Sequence, residues 1–438
     1  DRYGFKKKTQ FVSEDEYNQW WIDYEVYLSR RKKKWEIFMK QNGLSSYKND
    51  NPIRFPTKSN KLKKYIRKGI PAEWRGNAWW FYAKGSEKLN ANIGLYDKII
   101  ENTLNIKNQD TEIIERDLNR TFPDNLYFKN DNFLNLTNLS TETPLVQALR
   151  RVLTAFAAYQ PQIGYCQSLN FIAGLLLIFM DEEKSFWMLV IITTKLLPGV
   201  HDVNLEGVNI DQGVLMLCLK EYLPNIWEKI GFDFNEPSVN KQSKKKTAEV
   251  NVRKLPPITL CTASWFMSCF IGIVPIESTL RIWDCFFYEE SKIFIKMALT
   301  IFKLCEPKIL KMKDEMEVFQ LIQNYPKKLI DVNTLFDTCF KKRNGYNHIS
   351  QDEINRCRKF VKDQRRKTNN TGYMSSKNGS LIENGDVNGN ESYNILTKNE
   401  ELLKFTPEIY DFKKNGLVGV HWNHALTKKM KKQMIKRK

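Results

Sequence analysis

The sequence predicts an all-α protein, on three observations. Apolar residues recur at spacings of three and four in one segment after another. Few stretches alternate polar and apolar, and no Asn-Gly turn joins two such runs. Helix starts and stops fall at the ends of the apolar stripes, as at Thr143–Pro144, Pro198 and Pro224. The chain has 438 residues, 42% of them hydrophobic, with 11 Trp and 26 Phe against 20 Gly and 15 Pro, so a large core filled by big side chains is expected.

Taken in order, Ser13 followed by Glu16 resembles a capping box, and Trp20, Trp21, Tyr24, Tyr27 and Leu28 share the helix it would start. Residues 42–56 form a polar connector. The body opens at Gly69-Ile70-Pro71, where Pro71 suits a first helical turn and Arg75 and Trp79 fall on one face. Residues 86–111 read as a helix and then a polar loop. From Pro144, Leu145, Leu149, Val152, Leu153 and Phe156 form a stripe that Tyr159-Gln160-Pro161 ends. Residues 168–180 are apolar on nearly every face, which predicts a central helix. Their apolar run is too short to span a bilayer, which takes about 20 residues. Helices are then expected over 186–197, 214–222, 260–273, 280–287, 293–305, 315–322 and 329–340.

These elements suggest a basic helical N-terminal extension (1–64), a helical body (65–345), a C-terminal helix (346–366), an Asn/Ser/Gly-rich linker (367–399) and a basic tail (400–438). The tail closes on seven Lys/Arg in its last eleven residues, interleaved with Met430, Met434 and Ile435, a pattern open to an amphipathic membrane contact or a solvated end. A basic insert at 241–254 has no assigned role. The net charge of +19 divides into +10 over 1–68, zero over 69–358 and +9 over 359–438. The neutral middle is therefore expected to carry the activity alone, and the flanks to address an anionic surface. Nucleic acid is not expected as a partner, since the middle is neutral.

Several chemistries are disfavoured. Eight Cys include no C-x-x-C pair, no His stands at zinc-ligand spacing, and most Cys lie in apolar stretches, as expected of reduced, buried thiols in a cytoplasmic protein. There is no G-x-x-x-x-G-K-[ST] loop, G-x-S-x-G elbow or H-E-x-x-H helix, so no nucleotide hydrolysis of its own, no hydrolase triad and no metal enzyme is expected. The opening residues, Asp-Arg-Tyr-Gly-Phe-Lys, show no signal-peptide pattern, and a first residue other than Met suggests a fragment.

Two short motifs remain. Ile114-x-x-Asp117-x-x-Arg120 places a long cation near a helix end, just before Phe122-Pro123, and Tyr165-Cys166-Gln167 places a carboxamide in a loop opened by Gly164. Alone, the first reads more readily as an ordinary salt-bridged helix-end Arg, and the second as an unremarkable loop Gln beside a core Tyr. Together they offer the two groups that hydrolysis of GTP uses: a guanidinium for the transferring phosphoryl group and an amide to orient water.

With Gly69-Ile70-Pro71, Arg75-Gly76-x-x-Trp79, Thr121-Phe122-Pro123 and Arg281-Ile282-Trp283-Asp284, these motifs in this order resemble the TBC-domain family of Rab GTPase-activating proteins over roughly 65–340. The wording of residues 165–174 is most similar to fungal members linked to polarised secretion. The resemblance implies two packed helical subdomains. It also implies a dual-finger mechanism in trans, with Arg120 as arginine finger, Gln167 as glutamine finger, and Asp117, Tyr165, Arg75 and Trp79 supporting them or the packing behind them. The partner would be a Rab in its GTP form, which carries the GTP and Mg²⁺, so the chain needs no cofactor. Ser168 departs from the family's usual Gly. The alternatives are a silent Rab-binding scaffold and a membrane-docking adaptor working through the basic flanks.

Overall fold

The computed structural model describes residues 1–44, 51–129, 142–231, 250, 252 and 255–375, with side chains as far as 366. Among these residues there are seventeen α-helices and no strand.

Helix α1 (Glu14–Gln41) begins with the expected box: Ser13 Oγ accepts from the Glu16 N–H at 3.2 Å, and the Glu16 carboxylate takes the Ser13 N–H at 2.8 Å. Its inner face buries Tyr17, Tyr24, Trp35, Phe38 and Met39. Helix α2 (Asn60–Arg67) adds Leu62 and Ile66. The Trp35 indole N–H donates to Gly69 O at 2.8 Å, which fixes this basic flank to the start of the body. Division by charge is therefore not division by structure, because Tyr3, Trp35, Met39, Leu62 and Ile66 lie in the same core as the neutral middle.

The body follows as α3 (Arg75–Ala83), α4 (Gly85–Asn90), α5 (Leu95–Thr103), α6 (Gln109–Leu118), α7 (Pro144–Tyr159), α8 (Leu169–Phe179), α9 (Glu182–Ile191), α10 (Glu206–Tyr222) and α11 (Pro224–Ile230). Two helices, not one, fill the stretch from 86, separated at Gly94, whose φ of 72° is left-handed. The second half runs α12 (Ile258–Met267), α13 (Ile276–Glu289), α14 (Lys292–Ile309), α15 (Glu315–Asn324), α16 (Val332–Phe340) and α17 (Gln351–Ser375). The helix expected over 260–273 stops at Met267, because Cys269 and Phe270 adopt φ of 51° and 66°, outside helical space. Residues 241–249 of the basic insert, and 376–438 of the linker and tail, lie outside the described residues.

Helix α8 is the axis of the site. Residues 169–170 and 172–177 are buried. At its C-terminal end, a Cβ on Gly76 would stand 2.1 Å from Phe179 O, so only glycine lets α3 approach there. At its middle, a Cβ on Gly174 would meet Phe122 and Thr121 side chains at 3.0 and 3.1 Å. Two of the sequence motifs thus press on one helix.

A buried cluster locks α3 to α13. The Asp284 carboxylate accepts from Arg75 Nε at 3.2 Å, Trp79 Nε1 at 2.9 Å and Ile70 N at 3.0 Å, while Arg75 Nη1 donates to the Tyr3 hydroxyl at 2.6 Å. Removing one member of such a buried pair leaves an uncompensated charge, costing about 3–5 kcal/mol. All eight cysteines are free thiols, seven of them buried. Among the described residues, no helix is long and apolar enough to cross a membrane, and no group of three or more His, Cys, Asp or Glu gathers as a metal site would require.

Candidate functional site

Arg120 and Gln167 come from loops that converge at the N-terminal end of α8. Helix α6 (Gln109–Leu118) is capped by Asn108, whose side chain accepts from Thr111 N at 2.9 Å. Ile114, Asp117 and Leu118 turn inward. The chain leaves through a turn in which Arg120 N donates to Asp117 O at 3.2 Å, and Phe122 takes φ of 50°. This places the Arg120 side chain at the surface, 37% exposed, with its guanidinium paired to Asp117 Oδ1.

The glutamine loop follows α7. Gly164, at φ of 57°, passes close to Asp110, where a Cβ would meet a carboxylate oxygen at 2.9 Å. Tyr165 then turns its hydroxyl inward to donate to Asp117 Oδ2 at 2.6 Å. One buried carboxylate therefore holds Arg120 on one oxygen and the Tyr165 hydroxyl on the other. Burial pushes the Asp117 carboxyl up from its ordinary range, and the Tyr165 hydroxyl and Arg120 pull against it. The phenol of Tyr165 is raised, first by burial and then by the neighbouring Asp117 charge.

A second link runs through Asn170. Its Nδ2 donates to Thr121 Oγ1 at 2.8 Å, and Thr121 Oγ1 donates to Asp117 O at 2.7 Å. The Asn170 amide thus ties the two loops together. Ser168 precedes α8 at φ of 102°, a conformation suited to glycine. Its Oγ donates to Met267 O at 3.0 Å, the terminal carbonyl of α12, to which His201 Nε2 also donates at 2.9 Å. Gln167 between these anchors is 5% exposed.

Four of the six sequence-predicted site residues thus meet here: Arg120, Gln167, Asp117 and Tyr165. Arg75 and Trp79 do not; they belong to the Asp284 cluster at the far end of α8. Sequence reasoning missed Thr121 as a cross-link and His201 and Met267 as the support under Ser168. Thr121 had a signal in its place beside Arg120, whereas the His201–Met267 contact joins residues 66 apart and leaves no local mark.

The model of the Rab-GTPase-TBC domain family matches residues 72–310. The chain is 48% identical to the GTPase-activating protein GYP3 of Saccharomyces cerevisiae, across all of this chain and 75% of that protein. It is 47% identical to the yeast GTPase-activating protein MSB4, over 82% of this chain and 80% of that one. The human growth hormone-regulated TBC protein 1 is 32% identical over 71% of this chain and 80% of its own length. Among solved structures, the Chlamydomonas flagellar RabGAP TBC domain shares the fold with a TM-score of 0.57 at 24% identity, over 78% of this chain and 98% of that one.

Proposed function

The chain belongs to the Rab-GTPase-TBC domain family, and on that footing we propose that it accelerates GTP hydrolysis by a Rab-family GTPase, lending Arg120 and Gln167 to its partner's active site. The observation that carries this reading is the shared Asp117 carboxylate, which gathers the arginine turn and the glutamine loop at one end of α8. The names of the yeast relatives support it.

In this reading Arg120 exchanges Asp117 for the phosphoryl oxygens, a trade a planar guanidinium makes readily because both partners accept its paired N–H groups. Its charge offsets what develops on the phosphoryl group. The Gln167 amide donates and accepts at once, which orients the attacking water. At 5% exposure its side chain must swing out from under its neighbours to do so. GTP and Mg²⁺ are the partner's. The protein then works in the cytoplasm on vesicle traffic or exocytosis, peripheral at sites of polarised growth, and its flanks of +10 and +9 favour an anionic membrane surface.

The test is single-turnover hydrolysis by a panel of GTP-loaded Rabs. Arg120→Ala is expected to lose roughly 10³-fold or more of the stimulated rate, and Gln167→Ala most of it, with Gln167→Ala melting as the parent does and Arg120→Ala, which unpairs the buried Asp117 carboxylate, melting cooperatively at a lower temperature. Binding without acceleration across the panel would overturn the reading in favour of a silent scaffold.

A further inference from the structure

We propose that residues 3–6, outside the stretch matched by the family model, are positioning residues for Arg120. This inference rests on the role given to Arg120 above. The segment lies as a strap along the turn that follows Arg120 and holds it at four points. Asn125 Nδ2, fully buried, donates to Tyr3 O at 2.9 Å, and Leu126 N donates to Gly4 O at 2.9 Å. The Phe5 ring meets Phe122 edge-on at 5.2 Å, and Lys6 pairs with Asp124. Gly4 sits at φ of 83°, where a Cβ would approach Asn125 Oδ1 and the Tyr127 ring at 3.0 Å, so the strap lies tight against the turn.

The strap is itself anchored. The Tyr3 hydroxyl accepts from Arg75, the Tyr3 ring packs on Phe179, and Arg2 pairs with Glu277 at 2.7 Å. Phe122 is gripped from both sides, by Phe5 of the strap and by Phe171 of α8 at 5.6 Å. Phe122 is two residues past Arg120 and in the left-handed region. A non-glycine residue there persists only while its surroundings hold it. Loosening the strap frees the turn to relax and moves the root of the arginine side chain. A misplacement of about 1 Å can cost on the order of 10²-fold in rate.

The experiment uses the full chain and an active GTP-loaded Rab, with the single-turnover rate followed against activator concentration. Phe5→Ala is expected to lower the plateau rate about tenfold while the half-saturating concentration stays within about threefold, and Phe5→Tyr to restore the plateau. In an Arg120→Ala background the same Phe5→Ala change should alter the rate by less than about twofold, because a residue that acts through another is not additive with it. Phe5→Leu, which keeps most of the packing, is expected to speed amide exchange at Leu126 and Phe128 but leave Ile70 in the Asp284 cluster unchanged. An unaltered plateau, an equal fall in both backgrounds, or a uniform rise in exchange would overturn the strap's role and leave the function standing. A parent that accelerates no Rab would overturn the function itself, and the strap's role with it.

Discussion

Ser168 stands where the backbone wants glycine, and two opposing effects meet in its side chain. A non-glycine residue at φ of 102° carries about 1–3 kcal/mol of strain, while its hydrogen bond to Met267 O returns about 0.5–1.5 kcal/mol. Met267 O keeps the His201 donor when Ser168 is lost. Ser168→Gly is therefore expected to raise stability by about 1 kcal/mol, and Ser168→Ala, which keeps the strain and drops the bond, to lower it by about as much. Urea unfolding of the two variants decides it, since opposite signs are required. His201 offers a second test. Burial depresses its imidazole to about 4 from 6.5, so the unfolded chain binds more protons in that window. This contribution is complete above pH 6.5 and is lost as the pH falls through the window. Stability should drop by about 2 kcal/mol between pH 7 and pH 5, and His201→Gln, whose amide can still reach the carbonyl, should remove that component. Equal urea midpoint shifts in parent and variant would refute the assignment.

At the scale of elements, α8 is where the motifs become one object. A Cβ on Gly76 would stand 2.1 Å from the Phe179 backbone carbonyl, a clash that no side-chain shift relieves, so Gly76→Ala must push α3 away from α8. A loss of about 3 kcal/mol is expected, in the range of overpacked cores. A thermal melt at the parent's midpoint would contradict this. Gly174→Ala meets only side chains at 3.0–3.1 Å and should cost less. Much of this was legible in the sequence. The capping box at Ser13 and the helix start at Thr143–Pro144 are local signals, and both hold. The apolar run of α8 announced its centrality. Helix ends inside apolar stretches were not legible: nothing in the composition around Cys269 and Phe270 marks their positive φ, which packing around Trp265 and Trp283 imposes. At the site, the family resemblance implied Asp117 and Tyr165 as supports for Arg120 and Gln167. The carboxylate that joins them, and the strap that crosses the turn, depend on contacts 48 and 122 residues apart that no periodicity records.

At the scale of the whole molecule, the charge pattern and the packing point to different units. Charge alone marks 69–358 as the working part. The structure places Tyr3, Tyr24, Trp35, Phe38, Met39, Leu62 and Ile66 in the shared core, each at 6% exposure or less. Losing seven such side chains forfeits roughly 10–20 kcal/mol of burial at about 1.5–3 kcal/mol each. That exceeds or consumes the about 5–15 kcal/mol by which a folded domain is stable. The fragment also loses Val361, which seats against Gly213 of α10, and Arg365, which forks onto Glu206 at 2.8 and 3.0 Å. A 69–358 fragment is therefore expected to show no cooperative melt and no stimulation of a GTPase that the full chain activates. A fragment that melts cooperatively near the full-length midpoint would show that the basic flank is a passenger on the core. The address role proposed for the flanks is then better read in the intact chain, by reversing the exposed Lys33, Lys34 and Lys64 to Glu. Those changes leave the packed face of α1 and α2 untouched, so salt-sensitive binding to anionic vesicles should fall while the melt and the stimulated hydrolysis stay as in the parent.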